Sequence, residues 1–272
     1  MSTLLLLHGF LGAPSSWAGV LAPLRERGAL SNVEVLRPVL PGHGRPAEHL
    51  DVFGEATLDG ESTSLEATVD MLGDLIPEDG RAIIAGYSMG ARLALAIASR
   101  HPARVAGLVL VGVHPGLPGG AARDERRQWD DEQARRLRDD GLARFVDAWE
   151  RMPLFESQRA LPHAALAAQR ATRLGHDADS LALAVSALGL GRQPDFSGGL
   201  ARPATLLAGA LDTKFTAVHA ELAARSPGTT SRTVDGAGHN LTLEAPLAVA
   251  DAIEQLLRET GTRRRSARHD PS

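Results

Sequence analysis

A serine between two glycines is the first feature of this chain that could carry out chemistry. The segment Gly-Tyr-Ser-Met-Gly spans residues 86–90 and follows the apolar run 82–85, and an alanine-rich helical pattern begins at Met89. The pattern G-x-S-x-G between a strand and a helix predicts a sharp turn that lifts the hydroxyl of Ser88 off the sheet. The alternative interpretation is a turn that serves only packing.

A reactive serine needs a base, and the base needs a carboxylate that orients it. His239 lies in a glycine-rich segment before the last predicted helix, and Asp212 follows an apolar run typical of a strand. The chain order serine, aspartate, histidine is one of the orders in which such triads occur. Asp235 is a second candidate for the acid, although its closeness to His239 fits that order less well. Taken singly, His239 is typical of a surface loop and Asp212 of a turn or helix cap.

Negative charge that develops on a substrate oxygen needs hydrogen-bond donors. We predict that the backbone N–H groups of Phe10 and Met89 supply them, since one follows the first strand and the other follows the serine. His8 is expected to order the first loop. His43, in the loop after the second strand, is expected to be structural rather than catalytic.

The composition excludes several classes of function. A length of 272 residues suits one α/β domain with an insertion, or at most two domains. The chain has no cysteine, which excludes disulfides, thiolate metal sites and cysteine nucleophiles. A net charge of −4 does not favour nucleic acid as a partner. The apolar run 4–7 is too short for a membrane span or a signal peptide, so we expect a cytoplasmic protein without membrane insertion.

Short apolar runs alternate with helical patterns, which predicts a mainly parallel sheet flanked by helices, an α/β fold. The predicted strands are 3–7, 33–38, 82–85, 105–111, 204–208 and 229–234. The predicted helices of this alternating part are 16–27, 62–75, 89–100, 217–224 and 246–258.

The alternation stops between the fourth and fifth predicted strands. Three to five helical patterns fill that interval, and its borders are rich in glycine and proline. We therefore predict a core formed by residues 1–116 and 199–260 and a helical cap formed by residues 117–198. Residues 261–272 are basic and lack apolar side chains, which predicts a disordered tail.

Eight short segments of the chain occur in the order seen in one enzyme family. They are HGFLG, PGHG, GYSMGAR, VHPGLPG, FVDAWERMPLF, LGRQPD, GALDTKF and GAGHN. The chain thus resembles the α/β-hydrolase superfamily, and within it the 2-succinyl-6-hydroxy-2,4-cyclohexadiene-1-carboxylate synthases of menaquinone biosynthesis. The resemblance implies an α/β-hydrolase fold of about six strands with a helical cap and without the superfamily's usual leading strands. Ala210 and Leu211 precede the acid where relatives often carry charged residues, which weakens the match at that loop.

The resemblance implies a carbon–oxygen lyase that uses no metal or organic cofactor. Its substrate would be a small, multiply charged anion from which pyruvate is eliminated, with Ser88 as the base that takes a carbon-bound proton. The residues that would contact this substrate are Tyr87, Arg92, Arg126, Trp149, Phe155 and Arg173. Arg123 and Arg170, each one helical turn away, stay open as alternatives to Arg126 and Arg173, and the oligomeric state stays open as well.

Two other functions compete with this interpretation. A carboxylester or C–C bond hydrolase would use the same triad, and it would have no need for Arg92 if its substrates were neutral esters. A ligand-binding protein on the same scaffold is the other possibility, although such proteins usually lack a member of the triad.

Overall fold

The computed structural model describes residues 2–44, 64–78, 80–200 and 204–267. Six strands form a single sheet in the order β2-β1-β3-β4-β5-β6, and all neighbouring pairs are parallel. The strands are β1 Ser2–Leu7, β2 Val33–Leu36, β3 Ala82–Tyr87, β4 Val105–Val111, β5 Ala204–Gly209 and β6 Thr230–Val234. The predicted α/β fold with a sheet of six strands is confirmed.

Ten α-helices lie within the described residues. They are α1 Ala18–Glu26, α2 Leu65–Asp74, α3 Met89–Arg100, α4 Ala121–Asp139, α5 Leu142–Glu150, α6 His163–Leu174, α7 Ala178–Leu188, α8 Thr213–Ala224, α9 Leu241–Glu244 and α10 Pro246–Ala267. Short 3₁₀ helices span Pro14–Trp17, Pro102–Arg104, Pro153–Ala160 and Leu190–Arg192. The predicted helix 62–75 begins at Leu65, and its first two predicted residues lie outside the described ones.

The strands alternate their side chains between two helical layers, as the period of two in a strand requires. Leu4 and Leu6 pack with α1 and α10, whereas Leu5 and Leu7 pack with α2 and α3. All four leucines are fully buried. The near-continuous apolar strands of the sequence are therefore explained by burial on both faces of the sheet.

The second strand is shorter than predicted. It pairs with β1 through Leu36 and ends there, two residues before the predicted end at Pro38. Proline has no N–H to donate to a ladder, which accounts for a strand end just before it.

The chain between β4 and β5 contains helices α4 to α7, as predicted for a cap. Helices α4, α5 and α7 share an apolar core that includes Leu137, Phe145 and Leu181, and this core also contains Leu11 from the loop after β1. The cap thus packs directly on the loop that was predicted to supply an oxyanion donor. The division into a core at 1–116 and 199–260 and a cap at 117–198 stays a prediction.

The last helix differs from the prediction for the chain end. α10 continues to Ala267, so residues 261–267 are helical rather than part of a disordered tail. The physical reason is that Arg263, Arg264 and Arg265 are good helix formers that extend an already formed helix. The remaining tail residues, 268–272, lie outside the described residues. Within the described part of the chain, no helix is both long enough and apolar enough to cross a bilayer.

Candidate active site

Ser88 lies in a strained turn at the end of β3. Its φ of 51° is in the left-handed region, which side chains with a Cβ rarely adopt, and its N–H donates to the Val111 carbonyl at 2.9 Å. A Cβ at Gly86 would come within 2.5 Å of the Gly90 carbonyl oxygen, and one at Gly90 would overlap the carbonyl of Leu7. The two glycines are therefore required for the close approach of strand and helix that holds this turn.

The structure brings Ser88, Asp212 and His239 together. The Nδ1 of His239 lies 2.7 Å from Asp212 Oδ2, and its Nε2 lies 3.3 Å from Ser88 Oγ. Because an ionised carboxylate only accepts, Nδ1 carries the proton and Nε2 accepts from the serine hydroxyl. This is the arrangement in which an imidazole can take the proton of a serine.

The acid and the base are shielded from water. The side chain of Asp212 is 6% exposed and that of His239 is 2% exposed, whereas Asp235 is exposed and forms no ion pair with His239. The alternative acid is therefore not the one that the fold brings to the imidazole. A Cβ at Gly112 would come within 2.7 Å of the His239 ring, so the glycine lets the ring pack against the backbone.

The two predicted oxyanion donors both line the same cavity as Ser88. Met89 is the first residue of α3, and its N–H has no acceptor within the helix. Among the described residues, no protein acceptor takes the N–H of Met89 or of Phe10. Both groups are thus available to a bound oxyanion, and their role stays a prediction.

Two histidines order the loops around Phe10. His8 is fully buried, accepts from the Leu40 N–H at 3.1 Å and donates to the Gly9 carbonyl at 2.9 Å, and burial lowers its pKa to about 3. His43 accepts from the Leu11 N–H at 3.1 Å. These contacts agree with the structural roles expected for both residues.

A cavity of about 630 Å³ opens above Ser88, between the sheet and the cap. Among the described residues, four cationic side chains line it, Arg92, Arg126, Arg173 and Lys214, and one carboxylate, Asp130. The excess of positive charge suits a small anionic ligand, because guanidinium and ammonium groups bind carboxylates directly.

Of the four cavity cations, Arg92 and Lys214 have no carboxylate partner among the described residues, and Arg92 is the buried one. Its Nη1 donates to the Leu188 carbonyl at 3.1 Å, and in the described part of the chain no carboxylate oxygen lies within 4.0 Å of it. Burial, with a smaller effect of Arg126, lowers the pKa of Arg92 to about 10, so the group still carries its charge at neutral pH.

The two cap arginines on the cavity wall are each held by one acid and one ring. Arg126 pairs with Asp130 at 2.9 Å and lies over the Trp129 ring. Arg173 is 5% exposed, pairs with Glu150 at 2.9 Å and lies over the Phe155 ring. These contacts orient both guanidinium groups without removing them from the cavity.

The two alternative arginines do not line this cavity. Arg123 donates to the carbonyl of Leu117, and Arg170 forms ion pairs with Asp147 and Glu150 at a more exposed position. Placement in the fold thus favours Arg126 and Arg173 over these neighbours.

The predicted aromatic residues also line the cavity. Tyr87 is 8% exposed, and burial raises the pKa of its hydroxyl. A Cβ at Gly9 would come within 2.8 Å of the Tyr87 ring, so the first loop and this ring meet at a glycine. Trp149 stacks on Phe145, and Phe155 reaches the His239 ring edge-on. They form the apolar part of the wall.

Sequence reasoning missed two cavity residues. Lys214 and His114 both line the cavity, and the sequence analysis assigns neither of them a role. Burial and the nearby charges of Lys214 and Arg92 lower the pKa of His114 to about 4. The signals that could have identified them are the segments GALDTKF and VHPGLPG. Lys214 lies two residues after Asp212 in the first, and His114 follows the fourth predicted strand in the second. The described residues contain no group of three or more side chains suited to holding a metal ion.

A family model for the alpha/beta hydrolases matches residues 4–252 of the chain. The chain belongs to the alpha/beta hydrolase family. It is 34% identical over 259 residues to the 2-succinyl-6-hydroxy-2,4-cyclohexadiene-1-carboxylate synthase of Salmonella newport, covering 94% of each chain. It is 33% identical to the chloroplast protein PHYLLO of Arabidopsis thaliana, of whose length it spans only 15%.

A solved structure is similar over a comparable range. MenH from S. aureus superimposes with a TM-score of 0.81 at 26% identity, covering 96% of this chain and 94% of that one. The resemblance predicted from the eight sequence segments is thereby confirmed.

Proposed function

We propose that this protein is a carbon–oxygen lyase of menaquinone biosynthesis. It eliminates pyruvate from 2-succinyl-5-enolpyruvyl-6-hydroxy-3-cyclohexene-1-carboxylate and leaves 2-succinyl-6-hydroxy-2,4-cyclohexadiene-1-carboxylate. The observation that carries the proposal is the complete hydrogen-bonded triad beneath a cavity whose described wall residues include four cations and one carboxylate. The names of the similar synthases supply the identity of the anion.

The proposed reaction begins with proton abstraction by Ser88. His239 takes the hydroxyl proton, and the serine oxygen removes the ring proton next to the succinyl carbonyl. The electron pair of the broken C–H bond forms a dienolate, which then expels the enolpyruvyl oxygen through the conjugated system. The serine hydroxyl has regained a proton from the ring carbon, and His239 gives its extra proton to the departing enolate, which becomes pyruvate. No acyl-enzyme forms.

The backbone donors and the cations act on different charges. The N–H groups of Phe10 and Met89 stabilise the dienolate oxygen. Because this oxygen carries charge only during the reaction, these hydrogen bonds increase the rate rather than the affinity for the substrate. Arg92, Arg126 and Arg173 bind the carboxylates of the substrate. Tyr87, Trp149 and Phe155 enclose the ring.

The test measures the release of pyruvate from the enolpyruvyl substrate in an assay coupled to lactate dehydrogenase. We expect wild-type protein to release one pyruvate per substrate and Ser88→Ala to be slower by about three orders of magnitude or more. Wild-type protein that is folded and releases no pyruvate would contradict the proposal.

A hydrolase of carboxylic esters is the second candidate, because the same triad and free N–H donors would serve acyl transfer. Cleavage of p-nitrophenyl esters without pyruvate release would favour it.

We further propose a cytoplasmic location, since a chain without cysteine gives no reason to expect an oxidising compartment.

A further inference from the structure

Glu244 holds the backbone on both sides of the triad histidine. One of its carboxylate oxygens accepts from the Gly238 N–H at 2.7 Å, and the other accepts from the Asn240 N–H at 3.0 Å. These two N–H groups flank His239, so one carboxylate spans the residue that carries the imidazole. Hydrogen bonds to an ionised acceptor are stronger than those between neutral groups.

The other hydrogen bonds of this loop are formed by residues near His239, and not by the two N–H groups that flank it. The Leu211 N–H donates to the Ala237 carbonyl at 2.9 Å and joins the loop to the one that carries the acid. The Thr242 hydroxyl donates to the side chain of Asn240 at 2.7 Å. On the far side, a Cβ at residue 238 would overlap the Ser157 hydroxyl of the cap. The loop is therefore packed on two sides, and Glu244 supplies the bonds nearest the imidazole.

The imidazole must satisfy two partners at once. Its Nδ1 lies 2.7 Å from Asp212 and its Nε2 lies 3.3 Å from Ser88, so a small rotation of the backbone at residue 239 lengthens at least one of these distances. We propose that Glu244 is a positioning residue, which fixes the peptide groups around His239 and thereby aims the ring at Ser88. The inference rests on the proposed function only in that the triad performs the chemistry.

The test compares Glu244→Ala and Glu244→Gln with a matched control, Asp235→Asn. The control removes an exposed carboxylate from the same loop that holds no hydrogen bond within the described residues. The first measurement is the rate at which phenylmethylsulfonyl fluoride modifies Ser88, which needs a working triad and no natural substrate. The second is the pair kcat and KM for pyruvate release, on variants whose folding is checked by circular dichroism.

We expect Glu244→Ala to lower both the sulfonylation rate and kcat by about 100-fold, because a misplacement near 1 Å has that effect on a reacting group. KM should change by less than about threefold, since Glu244 does not line the cavity. Glu244→Gln keeps one acceptor oxygen, and its rates should lie about tenfold below wild type.

Three results would overturn the proposal. One is a Glu244→Ala protein that is as fast as wild type and the control. A second is Glu244→Gln as slow as the alanine variant, which would assign the effect to charge rather than to position. A third applies if the alanine variant does not fold: Glu244→Gln then decides alone, and a wild-type rate refutes the proposal. Wild-type protein that is sulfonylated but releases no pyruvate would refute the proposed function and leave this test intact.

Discussion

Asp212 performs two tasks with its two carboxylate oxygens. Oδ1 accepts from the Phe215 N–H and caps α8, while Oδ2 accepts from the imidazole of His239. The helix cap and the predicted catalytic acid, which the sequence offered as alternatives, are thus the same residue. The bond to the helix N-terminus holds one carboxylate oxygen in place, and the other oxygen faces the imidazole.

Replacing this carboxylate should leave the fold and remove the activity. In Asp212→Asn the amide can still cap the helix, but its NH₂ group favours the histidine tautomer whose Nε2 cannot accept the serine proton. We expect kcat for pyruvate release to fall by about 10³- to 10⁴-fold. The control is Asp235→Asn, which should stay within about twofold of wild type because that carboxylate is exposed and forms no ion pair with the imidazole. A large loss in the control alone would reverse the assignment of the acid.

Arg92 tests whether the cavity recognises an anion. Arg92→Ala should lower kcat/KM for the anionic substrate by about 100-fold, since a charge-assisted bond contributes about 1.5–3 kcal/mol. The rate on a neutral p-nitrophenyl ester should change by less than about threefold. Arg123→Ala is the matched control, because this arginine lies outside the cavity. Equal losses on both substrates would show that Arg92 is structural.

At the scale of elements, the two chain segments that connect the cap to the sheet lie against each other. One follows β4 and the other precedes β5. The Phe196 N–H, which precedes β5, donates to the carbonyl of Pro115, which follows β4, at 2.7 Å. Beside them Gly116 has a φ of 119°, and a Cβ there would overlap the carbonyl of Pro194. The glycine-rich borders of the predicted cap therefore form one closely packed joint.

This joint gives a stability prediction with an internal control. Gly116→Ala combines an unfavourable φ with a clash against backbone, whereas Gly120→Ala has a φ of 79° and open space around the added methyl group. We expect Gly120→Ala to lower the free energy of unfolding by about 1 kcal/mol and Gly116→Ala by about 3 kcal/mol or more. Urea denaturation measures both free energies. If the two variants lose similar amounts, the backbone at Pro194 has moved away from the added methyl group and the prediction is wrong.

Over the whole molecule, several histidines are buried in neutral form. Burial lowers the pKa of His8 to about 3 and that of His219 to about 4. His8 accepts a hydrogen bond from the Leu40 N–H, which a protonated nitrogen could not do, and His219 Nε2 lies 3.1 Å from both the backbone nitrogen and the carbonyl oxygen of Val113. The folded state therefore binds fewer protons than the unfolded chain between about pH 6.5 and these values.

The sign of the resulting pH dependence follows from that difference. The stabilisation is complete above the unfolded pKa of about 6.5 and decreases as the pH falls toward the folded values, by about 1.4 kcal/mol per pH unit for each such histidine. Urea denaturation between pH 7.5 and 5 should show this decrease. His8→Asn should reduce the slope by about one histidine's share, and an unchanged slope would contradict the assigned protonation state.

Local sequence patterns were sufficient for most elements and for the triad. A strand that is buried on both faces must be apolar, so apolar runs such as residues 105–111 predict strands. The turn at Ser88 could be predicted from its flanking glycines. The triad could be predicted because its members follow strand ends, and parallel strands bring those ends to one edge.

The cap arginines and Glu244 needed the tertiary structure. Residues three apart on a helix, such as Arg123 and Arg126, lie within about 60° of each other around its axis. Only the packing of α4 against its neighbours decides which one enters the cavity. The reach of Glu244 back to the N–H groups beside His239 likewise depends on how the loop folds onto itself. The sequence by itself thus determined most elements and the three side chains of the predicted triad, and the tertiary structure decided which charged and supporting residues surround them.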